Sequence, residues 1–168
     1  MRHTDVRTHT NFTDTELCEY AKRESNSAVD DYSNYRVGAA IEVQLKYRYE
    51  KTVTVNRVYT GHNIRISGMQ VTRHAEQLAA MSIIMDANNL GDHKSTSLKK
   101  IAVVTSGDDK AIKCGHCMQV LSSVCEYTGT NPSEFDVIAG NYSDTEEWDI
   151  DKYTLHELIG DTYVTNRN

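Results

Sequence analysis

VTRHAEQLAAMSII, residues 71–84, combines the apolar spacing of a buried helix with side chains that can bind metals and move protons. The spacing predicts a helix that begins near Val71, with His74 and Glu76 in its first turn. Its inner face would consist of Leu78, Ala79, Ser82 and Ile83. The stretch therefore predicts a helix that packs in the core and carries chemistry at its amino end.

The segments on either side predict further helices and strands. Thr13 and Glu16 have the spacing of a capping box, which predicts a helix that continues to about Asp30. Alternating or continuous apolar patterns predict strands at 37–49, 52–59, 100–105 and 135–139, and further helices begin near 114 and 155. The stretch 61–70 is predicted to be a loop. Strands separated by helices favour an α/β fold, with a mixed central sheet flanked by helices in a three-layer α-β-α arrangement.

Length and composition favour one globular domain. A chain of 168 residues with 39% hydrophobic residues can build one core. We assign residues 1–12 to a polar N-terminal segment and 13–168 to a single catalytic domain. The net charge of −6 disfavours nucleic acid as a main partner. No apolar run is long enough for a membrane span, and residues 1–12 lack a secretory signal, so we expect a cytoplasmic protein.

A second short motif, Cys114-Gly115-His116-Cys117, opens the predicted helix near 114 and lies about 40 residues after His74. Cysteines three apart in a first helical turn can bind one ion, and the helix dipole favours their thiolates. One imidazole and two thiolates leave a fourth tetrahedral position open, as in catalytic zinc sites. Glu76, two residues from His74, is placed to move protons rather than to bind the metal.

Each motif alone is weak evidence. A Cys-x-x-Cys also occurs in redox centres and structural zinc sites, and His-Ala-Glu occurs by chance. In this order they form the H-x-E … C-x-x-C pattern of zinc deaminases. A structural zinc would need a fourth ligand from the protein, and we expect His116 to face away. The other two cysteines, Cys18 and Cys125, are interpreted as buried structural thiols.

At these residues the chain resembles the cytidine deaminase family. The similarity extends from about residue 14 to 163. Beyond the two metal motifs it includes three further segments: YSNYRVGAAI at 32–41, GHNI at 61–64 and TLHELI at 154–159. The family resemblance implies hydrolysis of a cytosine nucleoside with Zn²⁺ as cofactor, a place in pyrimidine salvage, and a homo-oligomer, either a dimer or a tetramer.

The resemblance also implies roles for individual residues. His74, Cys114 and Cys117 would hold the zinc ion, and Glu76 would be the catalytic acid and base. Tyr35 would pack against the pyrimidine, and Asn63 would bind the ribose. The backbone of Ala75, together with Glu76, would hold the edge of the base.

Arg65 departs from the family pattern, because the family has a glutamate there that bonds a ribose hydroxyl. Arginine suits phosphate or carboxylate groups. Arg65 could therefore indicate a substrate with an anionic group, such as a cytosine nucleotide or a nucleoside antibiotic. Alternatively, Arg65 turns to solvent or pairs with an acid, and cytidine itself is the substrate.

Two alternatives of other classes stay open. A nucleic-acid-editing cytosine deaminase would use the same chemistry on a different partner, and it would bind single strands in a salt-dependent way. A non-enzymatic zinc module would contain zinc but release no ammonia from any cytosine compound.

Overall fold

The computed structural model describes residues 6–8, 10–48, 52–67, 71–87, 93–106, 110, 114–142 and 148–160. Four helices lie within these ranges: α1 (Asp14–Ser25), α2 (Ala75–Ala87), α3 (Gly115–Thr128) and α4 (Leu155–Ile159). Nine strands are described: β1 (Val6–Thr8), β2 (Val29–Asp30), β3 (Val37–Arg48), β4 (Thr52–His62), β5 (Ile64–Ile66), β6 (Val71–Arg73), β7 (His93–Thr105), β8 (Asp136–Tyr142) and β9 (Trp148–Thr154). None of these helices has the length and hydropathy that a membrane crossing would need.

Six strands form the main sheet, in the order β1-β4-β3-β7-β8-β9. β7 and β8 are parallel, and the other neighbouring pairs are antiparallel. The sheet is therefore mixed, as the sequence predicted.

A helical layer covers each face of this sheet. Because side chains alternate along a strand, Ala40 of β3 faces α1, whereas Ala39 and Ile41 belong to the core formed with α2 and α3. On the α1 side, the buried residues include Phe12, Leu17, Cys18, Ala21, Val58, Ala102 and Ile138. The predicted α/β fold with three layers is confirmed.

The predictions for residues 61–73 were wrong in detail. The predicted loop at 61–70 contains the end of β4 and the short strand β5, while 68–70 lie outside the described residues. The helix predicted from Val71 starts at Ala75 instead, because 71–73 form β6. β5 pairs with both β2 and β6, which makes a second sheet of three strands. Strands of two or three residues are too short to show an alternating pattern, so only their pairing in the sheet reveals them.

Other differences concern boundaries and three strands that were not predicted, β1, β2 and β9. α1 ends at Ser25 rather than near Asp30, because Val29 and Asp30 form β2. β7 begins at His93, seven residues before the predicted start, and β9 was not predicted. The first half of β7 pairs with β3 alone, since its pairing with β8 begins at Lys100. β9 is an edge strand beside β8. Strands with one open edge are often polar, which hides them in the sequence.

Helix α2 lies closer to the sheet than ordinary side chains would allow. Ala79 and Ile83 are buried as predicted, whereas Leu78 and Ser82 are only half-buried. Gly61 of β4 makes the close approach possible. A Cβ at position 61 would collide with the Ala75 carbonyl and lie 2.6 Å from the Ala79 nitrogen. This glycine therefore sets the position of the first turn of α2.

Replacing Gly61 with Ala is expected to destabilise the fold by about 1–3 kcal/mol, as overpacking of a core does. The new methyl group would meet helix backbone, which cannot turn aside as a flexible side chain can. The free energy of unfolding from urea denaturation measures the effect. Gly115→Ala is the matched control, because a Cβ there has no neighbour within 4 Å. Equal stability of both variants would contradict this account of α2.

Candidate metal centre

The two residues that precede α2 and α3 are both candidate metal ligands. The His74 carbonyl accepts a hydrogen bond from the Leu78 N–H at 3.2 Å, and the Cys114 carbonyl accepts one from the Met118 N–H at 3.0 Å. These are the first hydrogen bonds of the two helices, so His74 and Cys114 occupy the N-cap positions. The sequence predicted Cys114 as the first residue of its helix, and it placed His74 three residues inside a helix that was predicted to begin near Val71. Because the amino ends of α2 and α3 lie close together, the side chains of His74 and Cys114 lie near each other.

Cys117 completes the group from the first turn of α3. Its Sγ lies 3.2 Å from His74 Nδ1, and its backbone N–H donates to Cys114 Sγ at 3.4 Å. The ligand atoms of His74, Cys114 and Cys117 all lie within 4.8 Å of one another. Around a tetrahedral zinc ion, with bonds of about 2.0–2.3 Å, such atoms would be roughly 3.5–3.8 Å apart. Small side-chain movements would therefore let all three bind one ion.

The charges around Cys117 also suit a cation. Cys117 is fully buried. This burial, and then the nearby Glu76 carboxylate and Cys114, raise the pKa of the Cys117 thiol far above its ordinary value. A thiolate there needs a compensating positive charge, which a divalent metal ion would supply. Two sulfurs and an imidazole are a donor set typical of zinc.

Glu76 lies beside this group and lines a cavity of about 600 Å³. Only 6% of Glu76 is exposed. The cavity is lined by residues of β2, β5 and β6, of the starts of β3 and α2, and of the segments that precede β3, β5, α2 and α3, namely Asp30, Ser33, Tyr35, Val37, Asn63, Ile64, Arg65, Thr72, Arg73, His74, Ala75, Glu76, Lys110 and Cys114. A volume of this size is typical of small-molecule sites.

Two further predictions concerned His116 and the two cysteines outside the candidate group, Cys18 and Cys125. His116 is exposed and lines a separate surface groove beside His74 and Gln77. Cys18 and Cys125 are fully buried away from the group, and burial raises the pKa of each thiol to about 12.

Asn63 and Tyr35 both line the cavity, and Asn63 organises the segment that carries Tyr35. The Asn63 side-chain oxygen accepts from the Val37 N–H at 2.7 Å, and its amide donates to the Tyr35 carbonyl at 2.8 Å. The side chain keeps one N–H and one acceptor lone pair for other contacts. Sequence reasoning gave Asn63 a ligand-binding role only, and this second role in shaping the wall was missed.

Arg65 lines the cavity from β5 and stacks on an aromatic ring. Its guanidinium carbon lies 4.4 Å from the centre of the Tyr32 ring, a cation–π arrangement. Asp30, its partner in the pairing of β2 with β5, is nearby. Hydrogen bonds from Ser33 and Tyr32, together with the charge of Arg65, lower the pKa of Asp30 to about 2. Arg65 thus has an aromatic and an anionic neighbour within the protein, in agreement with the second alternative for this residue.

Several residues of the cavity wall had no signal in the sequence. Lys110 is the clearest case, because its ammonium group pairs with Asp149 at 2.6 Å and Asp151 at 3.1 Å. Both acids lie on β9, the strand that was not predicted. Only the sheet topology brings them to this side chain.

The known proteins that resemble this chain in sequence and in fold include cytidine deaminases. No family model matches the chain. A cytidine deaminase from Sporosarcina psychrophila is 26% identical over 129 residues, which are 77% of this chain and 81% of that protein. Its similarity supports the resemblance that the motifs indicated.

Solved structures of cytidine deaminases share the fold. The enzyme from Burkholderia pseudomallei superposes with a TM-score of 0.66 and 24% identity, over 90% of this chain and all of that chain. The enzyme from Mycobacterium tuberculosis gives a TM-score of 0.56 and 23% identity, over 92% of this chain and 99% of that chain. The resemblance to the cytidine deaminase family is confirmed, and the fold is that of these proteins.

Proposed function

We propose that this chain is a zinc-dependent hydrolase that deaminates a cytosine nucleoside, converting cytidine or deoxycytidine to the uracil nucleoside and ammonia. The observation that carries the proposal is the convergence of one imidazole nitrogen and two sulfurs beside a buried carboxylate that lines a cavity. The similarity to cytidine deaminases in sequence and fold supports the same activity.

His74, Cys114 and Cys117 would hold the zinc ion. When bound, zinc would act as a Lewis acid that activates a water molecule for attack on the base. The N-terminal ends of α2 and α3 both point at this position, and their dipoles favour the anionic sulfurs. Because the described residues offer three ligands here, one position of a tetrahedral zinc ion would stay open for chemistry.

Glu76 would move the protons of the reaction. Deamination adds the water oxygen to C4 of the pyrimidine and releases the amino group as ammonia. The Glu76 carboxylate would take a proton from the attacking water and deliver it to N3, and it would then carry the second proton to the leaving amine. Its near-complete burial keeps the carboxylate close to the reacting atoms and away from bulk water.

Tyr35, Asn63 and the backbone of Ala75 would hold the nucleoside. Tyr35 has an aromatic face at the cavity wall, and Asn63 keeps one donor and one acceptor free for a sugar hydroxyl. Ala75 is fully buried next to Glu76 and lines the same cavity, so its backbone would lie close to a base that enters it.

A homo-oligomer forms part of the same proposal. Exposed apolar side chains on the outer side of α2 and α3 support it, since Met81, Met85 and Tyr127 are 50%, 52% and 58% exposed. Sedimentation velocity of the purified chain would measure the assembly.

Ammonia release from cytidine, deoxycytidine and CMP tests the function. We expect cytidine and deoxycytidine to yield ammonia and the matching uracil nucleoside. Zinc-loaded protein that releases no ammonia from any cytosine compound would support the non-enzymatic zinc module instead. Activity on single-stranded nucleic acid alone would support the editing alternative.

Arg65→Gln is expected to change kcat/KM for cytidine by less than about tenfold, because the loss of a cation–π contact at an exposed site is worth about 0.5–1 kcal/mol. The physical reason is that the guanidinium of Arg65 stacks on the Tyr32 ring, a contact within the protein. Steady-state kinetics with cytidine and CMP provide the measurement. Arg73→Gln, in the neighbouring strand and also at the cavity wall, is the control. A preference for CMP that disappears only in Arg65→Gln would show that Arg65 binds a substrate anion.

A further inference from the structure

Helix α2 begins without the usual capping side chain. An N-cap serine, threonine or aspartate normally accepts a hydrogen bond from the third helical residue. Here the N-cap residue is His74, and its Nδ1 lies 3.2 Å from Cys117 Sγ. The imidazole therefore faces the other candidate metal ligands and is not used to cap the helix.

Gln77, the third residue of α2, supplies the other half of a cap. Its Oε1 accepts a hydrogen bond from the His74 backbone N–H at 3.1 Å. Gln77 is only 7% exposed, so water can replace this contact only with difficulty. The bond connects the buried first turn of α2 directly to the backbone of His74.

The other capped helices show what is unusual here. α1 and α4 begin with complete capping boxes, formed by Thr13 with Glu16 and by Thr154 with Glu157. In each box, the N-cap side chain and the third residue bond each other's backbone N–H. In α2 only one of the two hydrogen bonds of a capping box is formed, from the His74 backbone N–H to the Gln77 side chain. The missing half would have occupied the side chain of His74.

We propose that Gln77 is a positioning residue that fixes the direction of the His74 imidazole toward the metal. The inference rests on the proposed function, in which His74 is a zinc ligand. By holding the His74 N–H, the buried amide fixes the backbone at residue 74 and thus the direction in which its side chain leaves the chain. The imidazole then needs only a small movement to bind one ion together with the two sulfurs. Groups that orient metal ligands in this way typically change metal affinity about 10–100-fold when removed.

The test measures metal binding by the apo protein, without substrate. Gln77→Met keeps the length of the side chain but removes the acceptor, and Gln77→Glu restores an acceptor as in the boxes of α1 and α4. Co²⁺ is the probe, with its dissociation constant from chelator competition and its visible absorption spectrum as readouts. We expect Gln77→Met to bind Co²⁺ about 10–100-fold more weakly with an altered spectrum, and Gln77→Glu to recover most of the affinity.

Glu157→Met is the matched control, because it removes the corresponding half of the cap from α4. This variant should lose stability, yet bind Co²⁺ with the affinity and spectrum of the wild type. Gln77→Asn serves as a second test if Gln77→Met does not fold. Its amide is one methylene too short to reach residue 74, so the same weakening is expected.

Wild-type affinity and an unchanged spectrum in Gln77→Met or Gln77→Asn would overturn the proposal, because Gln77 would then only cap the helix. A wild-type protein that binds neither Co²⁺ nor Zn²⁺ would overturn the proposed function as well. Metal binding by the wild-type protein therefore distinguishes failure of the Gln77 proposal from failure of the proposed function.

Discussion

Glu76→Gln should lower kcat for cytidine by about 10²–10⁴-fold, the range that general acid–base catalysis typically contributes. The amide has nearly the same shape as the carboxylate but cannot accept the proton of the attacking water. Because Glu76 is almost completely buried, no solvent carboxylate or buffer ion can easily take its place. Zinc content and the far-UV circular dichroism spectrum should stay at wild-type values.

Glu157→Gln is the control for the loss of a carboxylate. Glu157 is an exposed capping residue of α4, outside the cavity. Its turnover should equal that of the wild type. If Glu76→Gln retained more than a tenth of wild-type kcat, Glu76 would be removed from the mechanism.

Cys117→Ser is expected to abolish stoichiometric zinc and, with it, deamination. Hydroxyl groups are poor zinc ligands compared with thiolates, and Cys117 Sγ lies 3.2 Å from His74 Nδ1 within the candidate group. The metal content of purified protein, measured by plasma emission spectrometry, tests the first part of this prediction. Ammonia release from cytidine tests the second.

His116→Ala is the matched control in the same Cys-Gly-His-Cys segment. His116 is exposed and lies outside the group of three ligands, so this variant should keep one zinc ion per chain. The account of the site is wrong if His116→Ala loses zinc while Cys117→Ser retains it.

The helices and the long strands could be predicted because their patterns are local. Thr13 and Glu16 form the capping box that the sequence indicated, and β3 alternates between two buried faces over its first half. β5, β6 and β9 could not be predicted in this way. Each is short or polar, and each forms because another strand supplies its hydrogen bonds: β2 and β6 for β5, β5 for β6, and β8 for β9.

The candidate ligands could be identified for the same reason. His74 with Glu76, and Cys114 with Cys117, are neighbours in sequence, and each pair opens a helix. The fold had only to bring two helix starts together. The cavity wall is different, because the contact of Lys110 with Asp149 depends on β9 and the stacking of Arg65 on Tyr32 depends on the small sheet. The sequence contains no local pattern for either contact.

X-ray absorption at the zinc edge of the purified wild-type protein tests the central claim most directly. The account predicts one zinc ion per chain with two sulfurs at about 2.3 Å and two light atoms at about 2.0 Å, one of them an imidazole nitrogen. Protein without zinc, or a zinc ion surrounded by four protein ligands, would contradict it.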